Sequence, residues 1–87
     1  MVRIAVISAI LESPSETQQA FNEIVSEFQS MIRGRMGIPF DHERIAVIAI
    51  IVCGTLDEIN TFTGKLGRLP NTLVKSSISK LELEETS

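Results

Sequence analysis

The pentapeptide Arg-Ile-Ala-Val-Ile occurs twice in the chain, at Arg3 to Ile7 and again at Arg44 to Ile48. An identical run of branched aliphatics around an alanine, behind an arginine, is not expected by chance in 87 residues. Internal repetition constrains architecture before any single side chain is interpreted. Here it implies that one strand-plus-helix unit is used twice.

A chain of this length forms one domain. The sequence assigns it to residues 1–80, with residues 81–87 as a charged, frayed C-terminal tail. Folding at this size hides only roughly 60–65% of the unfolded chain's surface, so stability is marginal. Apolar residues nevertheless make up 44% of the sequence, and the mean hydropathy is +0.22. A surplus of that kind points to oligomerisation.

The net charge is −3 and the isoelectric point is near 5.0. Both count against nucleic-acid binding, which calls for a basic patch. Arg33, Arg35, Lys65, Arg68 and Lys75 lie in short clusters that leave room for a local positive site, although ordinary solvated charges are the plainer reading. Cys53 is the single cysteine, which excludes an intramolecular disulfide and fits a reducing compartment. The N-terminal apolar run superficially resembles a signal peptide. It ends at Glu12-Ser13-Pro14-Ser15-Glu16 without a small-x-small cleavage pattern. No stretch approaches the ~20 apolar residues of a membrane span. The expectation is a soluble cytoplasmic protein.

Arg3 to Leu11 carries apolar residues on both alternating sets, which marks a central strand. Ser13, Pro14 and Glu16 read as a capping box with proline at the first helical position. Ala20, Phe21, Ile24, Val25 and Phe28 then recur at helical spacing to about Gln29. Ser30 to Phe40 reads as a second strand, in which Gly34 and Gly37 mark a bulge or a close backbone approach and Pro39 demands an edge position. Asp41 to Glu43 form a turn, and Arg44 to Cys53 is the longest apolar run. Thr55 and Glu58 repeat the capping-box logic ahead of a helix through Leu66, with Gly67 as its terminator. Asn71 to Ser79 is the last strand. The order β-α-β-β-α-β predicts an α+β, ferredoxin-like sandwich: a four-stranded antiparallel sheet with both helices on one face. The two repeats become its neighbouring central strands. Their second face is left uncovered, and the chain is therefore expected to form a homodimer or homotetramer, by sheet-to-sheet or edge-to-edge contact.

Catalytic signals are thin. His42 is the only histidine and sits in a turn, with no spacing that would build a zinc or nickel site. Cys53 ends an apolar strand and reads as a small core residue. No CxxC, phosphate-loop or dinucleotide signature is present, and Gly64 to Gly67 close a helix instead of opening one. No enzymatic activity, metal or cofactor is expected. With four Phe and no Tyr or Trp, an aromatic platform for single-stranded nucleic acid is also poorly supplied. Two segments remain, Arg33 to Pro39 and Thr63 to Pro70, each combining glycines, basic side chains and a proline. Turn and bulge chemistry explains them most simply. The functional reading is a small anionic-ligand site built from Arg33, Gly34, Arg35 and Gly37 with Gly64, Lys65, Gly67 and Arg68. Glycine would expose backbone N–H groups there, and the basic side chains would grip a carboxylate or phosphate.

The same segments carry a family resemblance. The motif Gly34-Arg35-Met36-Gly37-Ile38-Pro39, the turn-to-helix Gly54 to Asn60, and Thr63 to Ser76 resemble the small regulators of iron-only hydrogenase systems. The resemblance covers most of the chain, with Phe62 where the family has Leu and Asn71 where it has Gly. It implies a ferredoxin-like domain related to ACT domains and to the ligand-sensing domain of nickel-responsive repressors. Their nickel-binding histidines and their ribbon-helix-helix DNA-binding segment have no counterpart here. The resulting expectation is a non-enzymatic regulatory domain that self-associates and holds a small ligand at its subunit interface. The alternative is an assembly module without a ligand, whose partner would be a hydrogenase maturation protein.

Overall fold

The computed structural model describes residues 1–84. Its elements are β1 (Arg3–Leu11), α1 (Pro14–Glu27), a 3-10 turn (Gln29–Met31), β2 (Ile32–Phe40), β3 (Ile45–Gly54), α2 (Leu56–Gly67) and β4 (Thr72–Ile78). The four strands form one antiparallel sheet in the order β2-β3-β1-β4. This is the expected α+β, ferredoxin-like arrangement, with the two repeat-bearing strands side by side in the centre. The outermost part of the predicted tail, residues 85–87, lies outside the described residues. Ahead of it the chain turns back on β1, where Val2 bridges Leu83 and Arg3 forms an ion pair with Glu82 at 3.1 Å.

The repeat extends well beyond the pentapeptide. The spacing from Arg3 to Arg44 also carries Phe21 onto Phe62 and Val25 onto Leu66, and all four side chains are buried beneath their helices. It carries Ile7 onto Ile48 and Ala9 onto Ile50, which are buried on the same face of the sheet. The core is therefore two copies of one packing unit, related by an internal pseudo-twofold. Ser8 maps onto Ala49 by the same spacing, and the two face each other across β1 and β3, so the pseudo-axis passes between them.

Local chemistry explains where elements begin and bend. At α2, Thr55 adopts extended backbone (φ −69°, ψ 159°) and its hydroxyl accepts from the Glu58 N–H. The Glu58 carboxylate accepts from the Thr55 N–H in return, completing the capping box. Thr55→Ala is expected to lower stability by about 1 kcal/mol, measurable as a shift of the urea midpoint with an unchanged slope. The predicted capping box at α1 does not form. Ser13 has ψ 68°, outside the extended region that aims a cap hydroxyl along the helix, and its side chain makes no cap bond. Its carbonyl accepts instead from the Glu16 and Thr17 N–H groups and from the Thr17 hydroxyl, which satisfies this buried threonine.

β2 occupies an edge, as Pro39 requires. Its ladder shifts register between Ile32 and Gly34, so Arg33 is the extra residue of a bulge. Gly67 is the last helical residue and not a left-handed terminator; no described glycine has positive φ. The left-handed position falls at Asn71 (φ 54°). Asparagine is among the few residues other than glycine that tolerate this region.

Candidate functional site

β2 holds the first of the two glycine-and-cation segments. Arg33 donates to the Ser30 carbonyl at 3.2 Å. Arg35 reaches across to α1, donating to Asn22 Oδ1 at 2.8 Å while its guanidinium lies over the Phe21 ring at 5.7 Å. Gly34 and Gly37 lie in the ladder, where an added Cβ would make only ordinary contacts with Ile51 and with Ile48 and Val47. α2 holds the second segment. Lys65 pairs with Glu27 at 2.9 Å and lies over the Phe28 ring. Arg68 is the exposed C-cap of α2. A Cβ at Gly64 or Gly67 would meet nothing within 4 Å, so the fold itself gives no steric reason for glycine at either place. Arg35 and Lys65 thus engage α1 at different residues, Asn22 and Glu27.

A cleft of about 420 Å³ lies elsewhere, between the start of α1 and the β2–β3 turn. Ser13, Pro14 and Glu16 form one wall and Phe40, Asp41 and Arg44 the other. It includes none of the expected ligand residues. Its charges are mixed, Arg44 against Glu16 and Asp41, so it offers no net attraction for an anion. Sequence spacing gave no sign of it, because the walls come from segments that only the folded sheet brings together.

His42 sits in the exposed turn after β2, whereas Cys53 is half-buried near the far end of β3. At the usual rise per residue they are roughly 25–30 Å apart along the strand. At that distance the two cannot act together as nucleophile and base. Among the described residues, no group of three or more His, Cys, Asp or Glu is gathered as metal ligands would be. No helix in this range is long and apolar enough to cross a membrane.

The most distinctive surface is the face of the sheet opposite the helices. Strand register arranges it in rows. One row joins Ile51 to Val6, between Gly34 and Ser77. The next joins Ala49 to Ser8, between Met36 and Lys75. The third runs Ile38, Val47, Ile10 and Leu73 across the whole sheet. Eight large apolar side chains on this face, from Ile10 to Met36, are between 37 and 64% exposed. The opposite face of the same strands is dry, with Ile7, Leu11, Ile50 and Val52 fully buried. The two-sided apolarity of the central strands therefore has two different causes: one set is the core and the other is open.

A family model for TM1266-like proteins, with the description "Iron-only hydrogenase system regulator, putative", matches residues 3–76. No curated protein is matched. Among solved structures, the uncharacterized protein TM1266 from Thermotoga maritima is similar, with a TM-score of 0.87 and 26% sequence identity. The similarity covers 92% of this chain and 100% of that one. Both the segments that carried the sequence resemblance and the observed fold agree with this match. The chain belongs to the TM1266-like family of iron-only hydrogenase system regulators.

Proposed function

We propose that the chain is a non-enzymatic regulatory domain of an iron-only hydrogenase system, working in the cytoplasm through self-association. The uncovered apolar sheet face carries this reading. Solitary soluble domains rarely leave so large a contiguous apolar patch in water. In this reading a small anionic ligand binds at the subunit interface, and it shifts the assembly by the difference in its affinity for the associated and separate forms. Gly64 and Gly67 support the ligand, since glycine in a helix costs about 1 kcal/mol relative to alanine and packing does not demand it here. Their bare backbone, beside Lys65 and Arg68, allows close approach from outside.

A second reading, an assembly module without a ligand, is favoured by a different observation. Arg33, Arg35 and Lys65 already have partners within the chain. In that case a hydrogenase maturation protein is the natural partner class. Gly64→Ala separates the two when studied by native mass spectrometry. It should stabilise the helix by up to about 1 kcal/mol. The ligand reading expects the wild type to retain a small molecule that Gly64→Ala loses. Wild-type protein that carries no small molecule, yet co-purifies with a maturation protein, contradicts the ligand and supports the module.

A further inference from the structure

The open sheet face is shaped as well as apolar. Ala49 and Ser8 are small, and they form a trough between two ridges, Val6 with Ile51 on one side and Ile10 with Val47 on the other. The internal repeat maps Val6 onto Val47 and Ile10 onto Ile51, so each ridge contains one valine and one isoleucine at pseudo-equivalent places. The trough lies on the pseudo-axis, and the Val6–Ile51 ridge, flanked by the small Gly34 and Ser77, is the right length to fill it.

Resting on the reading above that the chain self-associates, we infer that the occupant of this face is a second copy of the same chain. It packs sheet against sheet, with the Val6–Ile51 ridge of each copy seated in the Ala49–Ser8 trough of the other. Three observations carry this choice. First, the area fits. Eight side chains at 37–64% exposure present roughly 700 Å², close to the about 800 Å² that each partner contributes to a standard interface. Second, the face contains both the protruding and the receding shape, as an isologous contact requires of a single surface. Third, Lys75 is the one charged residue in the three rows, and it lies on the edge strand β4. A copy facing itself therefore meets no opposed cluster of like charge, and the lysine head can remain in water. Facing sheets about 10 Å apart interdigitate in this way.

Sedimentation velocity on the full chain tests the inference with three variants on the open face. Ile51→Glu places a charge in the contact without touching the core and should weaken association by about a hundredfold or more. Ser8→Leu and Ala49→Leu make the face more apolar yet fill the trough. Each should weaken association about tenfold, as overpacking does. A face that is merely sticky would respond in the opposite direction. Association of Ser8→Leu and Ala49→Leu as tight as wild type, or tighter, overturns the inference. Wild-type association that survives Ile51→Glu also overturns it, but leaves self-association standing through a strand edge. A monomeric wild type defeats this inference and the self-association reading together.

Discussion

Phe62→Ala is expected to unfold most of the protein at room temperature in modest denaturant, or to leave it folded only marginally. Phe62 is fully buried on α2, and its ring packs against Phe28 of the 3-10 junction with centroids 4.8 Å apart. Removing a buried phenylalanine costs about 3–5 kcal/mol, because the lost transfer energy is compounded by an unfilled cavity. At 0.05–0.15 kcal/mol per residue, a domain of this length has roughly 4–13 kcal/mol in total. The loss is thus a large fraction of the whole. Phe62→Leu should cost less than about 1.5 kcal/mol, since it retains most of the volume. Denaturant titrations of the two variants at one protein concentration measure the difference, with concentration held fixed because association would add to apparent stability. Equal losses in both variants would contradict this, since the volume that leucine retains would then recover nothing of what the ring contributes.

The second large effect is expected at Gly54, where β3 ends and α2 begins. A Cβ there would lie 2.9 Å from Met31 Sδ and 3.3 Å from Glu58 Oε1. Met31 is buried, so its sulfur has little room to retreat, and Glu58 is held by the α2 capping box. Gly54→Val should therefore cost about 2–3 kcal/mol through overpacking together with a weakened cap. Gly54→Ala should cost less, because methionine is the most adaptable of core side chains. The glycine of the Gly54 to Asn60 motif thus has a steric reason and not a conformational one. Thermal melts of the two variants check the order, and a Gly54→Val protein as stable as wild type would contradict it.

Much of this fold was legible because three independent signals agreed. The repeated pentapeptide, the two helical apolar spacings and the glycine-proline content of β2 together predicted the strand order and the edge position of β2, while the glycines left a bulge or a close approach open and the bulge falls at Arg33. Less legible were features that depend on backbone angles or on tertiary neighbours. Ser13-Pro14-Ser15-Glu16 has the composition of a capping box, yet the Ser13 backbone turns its hydroxyl out of use while Thr17 takes its carbonyl. Gly67 looked like a terminator, but the left-handed residue lies farther on, at Asn71. The candidate site was legible only in part. Composition marks Arg35 and Lys65 as available cations. Their contacts with Asn22 and Glu27, and the cleft at the start of α1, arise from elements that meet only in the folded domain.

The open face of the sheet gives the clearest link from sequence to assembly. The same alternation that buries Ala5, Ile7 and Ala9 leaves Ile4, Val6 and Ile10 facing outward, and this gives the chain its apolar surplus. Sedimentation equilibrium of the wild-type chain over micromolar concentrations tests that claim most directly. A mass that is a multiple of the 9.6 kDa chain is the predicted result. A mass of one chain throughout the series would contradict it.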